Sequence, residues 1–333
     1  MSAAPRVAVV CSAHGYGHTG RMLALAPALV ARGLEPVLFT AAPASFTAGR
    51  GVAVEPCVAD LGMVQPDALS VDVEATRRAL PPFLADAHID ALAARHAGFD
   101  LVIADTPPAA LEAARRAGVP ALAVGNFDWA WIYAQAPALA AAAARFAGWQ
   151  APHPALALAP GPGMHGFRTV EAVGLLARAA PPAAPLPGAV LVAMGGMGWA
   201  GLGAGLPEIA GTTYLIPDPL PLPARADCAR PPPLPFPALL GAVDAVLTKP
   251  GYGTLAEAMA AGARLISAPR SGFAETASLE AAMRARGDIL LAGTGPDALR
   301  AALAAARALP RPAPVAPEAA GRIAARAAAM VTR

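Results

Sequence analysis

The chain has 333 residues, 56% of them hydrophobic, 5% aromatic and 14% charged, with a formal net charge of +2. That length exceeds one ordinary core and predicts two domains, while the apolar content is inflated by alanine and never reaches the uninterrupted run of a membrane-spanning helix. No basic tract gives a footprint for nucleic acid, and the separated Cys11, Cys57 and Cys228 fit reduced structural thiols, which excludes a disulfide framework or a zinc site. The opening MSAAPRVAVV lacks the layout of a signal peptide, so a cytoplasmic protein without integral membrane association is expected.

In chain order, the β-branched run at 6–13 reads as a strand buried on both faces of a parallel sheet. A helical pattern follows to Gly33, with Pro27 inside it as a kink or a shifted start. Strands are predicted at 35–40, 52–56, 100–106 and 120–126, with an alanine-rich helical segment over 72–97 broken at Pro81 and Pro82, and a helix over 108–117. His88 and His96 fall on that segment and read as surface residues, while His153 and His165 lie in loops rich in proline and glycine. An apolar helix is expected over 136–149 and reads as packing surface. The proline-rich 177–188 is the expected linker between a first domain, 1–176, and a second, 189–316. Strands at 189–196, 213–218, 245–249, 264–269 and 288–293 make the second series, with 217–237 as an extended loop. A helix over 317–333 is expected to pack across the domain interface. Strands alternating with helices in this way imply two tandem doubly wound, Rossmann-like α/β domains built on parallel sheets.

Two segments carry chemistry. In open α/β sheets ligands bind beyond the carboxyl ends of the strands. HGYGHTGR, residues 14–21, stands there after the first strand. Its glycines, Gly17 among them, permit a tight turn and close approach of a ligand. His18 then falls in the first helical turn, where it either only caps the helix or, as a neutral imidazole, takes a proton from a hydroxyl or water. His14 lines the same turn or is simply a satisfied polar residue. Asp105 orients His18, lines the acceptor pocket or caps the next helix. The block NFDWAWIY, 126–133, with Asn126 the chain's only asparagine and Trp129 at its centre, is either core packing or a platform for an acceptor ring.

The second segment is LTKPGYGTLAEAMAAG, 247–262, around Lys249, the only lysine. Gly251 and Gly253 leave amides free to meet an anion at a helix N-terminus, Tyr252 lies between them, and Lys249 and Thr254 can add to a diphosphate site. Glu257 stands at capping-box distance from Thr254, or can accept bonds from ribose hydroxyls. The glycine-rich 194–205, with Gly196, fits a dinucleotide fingerprint imperfectly, so a dehydrogenase ranks last.

Together these motifs resemble nucleotide-sugar glycosyltransferases of the GT-B fold, in particular the glycosyltransferase-like domain of plant arabinose kinase and its stand-alone bacterial relatives. The matching stretches are AHGYGHTGR, NFDWAWIY and TKPGYG. The resemblance implies two Rossmann-like domains facing a cleft and an inverting transfer with His18 as base. It implies that Gly251, Gly253 and Thr254 hold the diphosphate and that Glu257 meets the ribose. Arg270 and Glu275 stand where related enzymes carry the residues that bind donor sugar hydroxyls. His14, Asn126 and Trp129 are the candidates for the acceptor side. No cofactor and no metal are expected, only a nucleoside diphosphate sugar as co-substrate, with UDP favoured. The alternatives are a nucleotide-sugar hydrolase, whose G-x-G-H-x-x-R turn also fits with Arg21, and a non-catalytic sugar-nucleotide-binding protein.

Overall fold

The computed structural model describes residues 3–179, 181–195, 197–198 and 201–331. Its chain divides into two units, one of residues 1–64, 72–176 and 318–333, the other of 65–71 and 177–317.

The first unit is built on a seven-stranded parallel sheet. Its strands are β1 (Arg6–Cys11), β2 (Glu35–Thr40), β3 (Ala53–Pro56), β4 (Leu101–Asp105), β5 (Ala121–Gly125), β6 (Pro154–Leu158) and β7 (Thr169–Gly174), in the order β3-β2-β1-β4-β5-β6-β7. In β1, Val7, Val9 and Cys11 face one core and Ala8 and Val10 the other, which is why the run is apolar without alternation. One face is covered by the helices Tyr16–Val30 and Ala319–Val331, and the other by helices that include Asp86–His96 and Pro108–Ala117. Pro27 is accommodated inside the first of these helices.

The second unit carries β8 (Leu186–Ala193), β9 (Thr213–Leu215), β10 (Cys228–Ala229), β11 (Val243–Thr248), β12 (Leu265–Ser267) and β13 (Ile289–Leu290), all parallel, in the order β10-β9-β8-β11-β12-β13. Its core joins Val190, Val192, Leu247 and Ile266 to Leu299 and Leu303 of the helix Pro296–Ala308. Both units therefore have the doubly wound Rossmann-like plan.

Three local expectations change. β6 and β7 lie between and after the loops expected around His153 and His165, where the sequence predicts no strand: β6 begins at a proline, and β7 is an edge strand with most of its residues exposed. A short strand, β10, forms within the proline-rich 217–237, where Cys228 and Ala229 pair with Tyr214 and Leu215. His96 is not on the surface; it is fully buried against the ring of Phe39. No helix among the described residues is long and apolar enough to cross a membrane.

The excursion of 65–71 follows from backbone pairing. Val64 and Asp72 bond to each other, and Val64 N–H donates to Thr76 Oγ1 at 2.9 Å. Within the second unit Ala68 N–H donates to the Gly198 carbonyl at 3.2 Å, and Ser271 N–H to that of Leu69 at 3.1 Å.

Candidate active site

In each sheet the strand order reverses at one point, between β1 and β4 in the first and between β8 and β11 in the second. Such points open a crevice at the carboxyl ends of the strands. Register decides what meets there. Cys11 pairs with Asp105 and Asp105 with Val124, so the turn after β1, the end of β4 and the start of the loop after β5 lie side by side.

Four side chains converge at that place in the first unit. Arg21 Nε donates to Asp105 Oδ2 at 2.7 Å, and Nη2 donates to Asp105 Oδ1, so the fork takes both carboxylate oxygens. Arg21 Nη1 donates to Asn126 Oδ1. His18 Nδ1 lies 2.8 Å from Arg21 Nη2 and 3.2 Å from Asp105 Oδ1. A guanidinium has donors only, so it bonds Nδ1 when that nitrogen carries no proton, whereas a protonated Nδ1 donates to Asp105. Burial pushes the Asp105 carboxyl up, but the charges of Arg21 and His18 outweigh it and hold the group below the usual carboxylate range. The next helix begins at Pro108 without a side-chain cap, so the Asp105 carboxylate is spent on Arg21 and His18. Thr106, the residue that turns the chain away, has a φ of 73°. A β-branched residue there costs on the order of 1–3 kcal/mol, strain of the kind found where a site fixes the backbone.

Beneath the turn lies Asp60, on the loop after β3. Its Oδ1 accepts from Ser12 Oγ at 3.0 Å and Ala13 N–H at 2.8 Å, and its Oδ2 from the Trp129 indole N–H at 2.7 Å. Burial raises its pKa against these bonds. His14 Nδ1 accepts from Met63 N–H at 3.2 Å, and its ring stands edge-on to Trp129 at 5.2 Å. Trp129 is only 2% exposed and packs as core with Phe127 and Tyr133, while Trp131 of the same block is half-buried beside the His165 ring. Asn126 accepts from Arg21, and its Nδ2 donates to the Pro160 carbonyl at 2.7 Å. Gly17, in the first helical turn, is exposed.

In the second unit Ala193 pairs with Thr248 and Thr248 with Ser267, which brings the loops after β8, β11 and β12 together. The helix Tyr252–Ala261 starts after Gly251, and its first amides, those of Tyr252, Gly253 and Thr254, belong to the turn that has no intrahelical acceptors. Tyr252 is buried and Thr254 half-buried. Burial, then the charge of Arg270, pulls the Lys249 ammonium down to about 8, while Glu275 and Asp67 act in the opposite sense. A Cβ on Gly195 would lie 3.6 Å from the Lys249 chain, so the loops after β8 and β11 are in contact. Arg270 Nη1 donates to the Pro250 carbonyl at 3.0 Å and lies 3.5 Å from Glu275 Oε1, with the guanidinium 3.0 Å from the centre of the Phe273 ring. Glu257 projects from the same helix as Thr254 and is held at both oxygens by Arg178. Gly196 lies outside the described residues. Among the described residues no three His, Cys, Asp or Glu side chains converge as metal ligands would.

The structure therefore brings His18, Asp105 and Asn126 together in the first unit and Lys249, Arg270 and Glu275 in the second. Sequence reasoning passed over Asp60 and Arg178. Asp60 lies 48 residues from the Ser12 it bonds, and Arg178 lies 79 residues from Glu257, so neither sits in a motif.

No protein-family profile matches the chain. The L-arabinokinase of Arabidopsis thaliana is 32% identical over 133 residues, a stretch that takes in 37% of this chain and only 13% of that protein. Among solved structures, the glycotransferase of kitacinnamycin superposes with a TM-score of 0.63 at 18% identity, covering 98% of this chain and 95% of that one. The calicheamicin glycosyltransferase CalG4 gives 0.62 at 19% identity, covering 98% and 94%. The chain has the GT-B fold. In GT-B terms, the buried His18 cluster belongs to the N-terminal Rossmann-like unit and the Lys249 cluster to the C-terminal one.

Proposed function

We propose that this chain is a nucleotide-sugar-dependent glycosyltransferase that moves a sugar to an acceptor hydroxyl by direct displacement with inversion. The observation that carries the reading is His18, held at Nδ1 beside a buried, ionised Asp105 at the switch point of a GT-B N-terminal sheet. In the tautomer whose Nδ1–H points at Asp105, Nε2 is the basic nitrogen. It takes the proton of the acceptor hydroxyl as that oxygen attacks the anomeric carbon. The bond from that carbon to the diphosphate oxygen breaks, and the nucleoside diphosphate leaves with the electron pair. The amides of Tyr252, Gly253 and Thr254, with Lys249, stabilise the charge that grows on the leaving group. On this reading Glu257 meets the ribose, Arg270 and Glu275 face the donor sugar, and no cofactor or metal takes part. His14 borders the acceptor. Asn126 and Trp129 contribute by holding Arg21 and the turn in place. UDP is the first nucleotide to test. The fold's likeness to the glycotransferase of kitacinnamycin and the calicheamicin glycosyltransferase supports the reaction class.

The test measures release of nucleoside diphosphate from a panel of UDP-, GDP- and dTDP-sugars, with and without added hydroxyl acceptors. Release that depends on an acceptor is expected, with His18→Ala slowing it by roughly 10²–10⁴ while nucleotide binding survives. Release in buffer alone identifies a nucleotide-sugar hydrolase, and binding without release a sugar-nucleotide-binding protein. Wild-type turnover in His18→Ala would remove the base assignment.

A further inference from the structure

Glu257 is a buried carboxylate, with its side chain 9% exposed, on the helix whose first turn holds Thr254. A carboxylate in such a place needs a partner. Its partner among the described residues comes from outside the glycine-rich segment. Arg178 Nε donates to Oε1, and Arg178 Nη2 donates to Oε2 at 3.0 Å. Arg178 lies two residues into the second unit, in the stretch that joins it to the first. Its side chain is 15% exposed, so most of the pair is out of water.

A guanidinium fork and a carboxylate bonded in this way share a plane, which fixes the last torsion of the glutamate. Each carboxylate oxygen has room for two hydrogen bonds, and the fork occupies one on each. One acceptor site per oxygen remains, with its direction set.

We infer that Arg178 is a positioning residue for the donor nucleotide: it fixes the plane of the Glu257 carboxylate and aims its two remaining acceptor sites at the vicinal hydroxyls of the ribose. This rests on the reading of Glu257 as the ribose contact. Affinity for a nucleoside diphosphate then depends on a linker arginine that does not itself touch the ligand, and that dependence passes wholly through the sugar hydroxyls. Lysine in its place keeps the charge and loses the plane.

Isothermal titration of UDP and of its 2′,3′-dideoxy analogue into the wild-type chain, Arg178→Met, Arg178→Lys and Glu257→Gln tests this as a cycle in which the ligand supplies one of the two changes. The expected result is that Arg178→Met weakens UDP at least fivefold and the dideoxy analogue less than twofold, with Arg178→Lys in between on UDP. Equal losses on both ligands, or no loss on UDP, overturn the inference. Should Arg178→Met fail to fold, Arg178→Lys gives the same comparison. Glu257→Gln separates the two readings. If it erases the preference for UDP over the dideoxy ligand while the Arg178 variants keep it, the ribose contact stands and the role of Arg178 falls. If Glu257→Gln leaves that preference intact, or wild type binds neither ligand, both fall.

Discussion

At the scale of single residues, the candidate site rests on one cation that reaches three partners. Arg21 bonds Asp105 and Asn126 and lies 2.8 Å from His18 Nδ1, and it is itself 6% exposed. Because the buried Asp105 is bonded at both oxygens, its carboxylate stays ionised beside the imidazole. The glycines and His18 were legible in HGYGHTGR, because a turn that admits a ligand needs small residues next to the reactive one. Arg21 stood in the same string, but its partners lie 84 and 105 residues away. The second informative residue is His96, fully buried and with neither ring nitrogen hydrogen-bonded among the described residues. Burial, helped by the charge of Arg95, pulls its pKa from 6.5 down to about 4. Between those values the unfolded chain holds a proton that the folded chain does not. Stability therefore rises with pH across that window and is lost as pH falls from about 6.5 through about 4, by about 3 kcal/mol in total. Urea unfolding at pH 7 and pH 4.5 should show this loss, and His96→Leu should remove most of it. An undiminished loss in His96→Leu would assign the acid sensitivity to other groups.

At the scale of elements, glycine decides where a strand can bend. Gly188 lies inside β8 with a φ of 77°, and a Cβ there would come within 2.2 Å of the Gly211 carbonyl oxygen. The pairing with β11 changes register at the same place, from Leu186 opposite Val243 to Val190 opposite Ala245. Asp244 fills the gap by accepting from the Gly188 N–H at 3.0 Å. Gly188→Ala combines a strained φ with a backbone clash, so a loss of about 1–3 kcal/mol is expected in chemical unfolding, with β8 shifted against β11. A variant as stable as wild type would mean that the bend is not needed for the register. The same scale explains the missed strands. β6, PALAL, begins at a proline and has no β-branched residue, and β7 is an exposed edge with Glu171 at its centre, so neither shows the β-branched apolar run that marked β1 and β4. Their pairing with each other and with β5 makes them strands.

At the scale of the whole molecule, the chain leaves the first unit after Leu176 and comes back at Glu318. The helix Ala319–Val331 lies on the helix Tyr16–Val30, and its Ile323, Ala324 and Ala327 are fully buried in one core with Met22, Leu25 and Leu29. Ile323→Ala should destabilise the first unit by about 2–5 kcal/mol. Hydrogen exchange should speed up in Tyr16–Val30 and β1 while the core of the second unit, around Val190 and Leu247, keeps its protection. Equal acceleration in both units would show that they unfold together. The sequence alone determined the strand-and-helix alternation, the two parallel sheets and the glycine turns that follow β1 and β11, because each is written in local periodicity and backbone preference. Tertiary structure alone decided that Arg21 meets Asp105 and Asn126, that Arg178 grips Glu257, that 65–71 joins the second sheet's loops, and that the last helix completes the first core. Those are pairings of residues far apart in the chain. They are set by the register of parallel strands and by which apolar faces must be covered, and no window of sequence contains both partners.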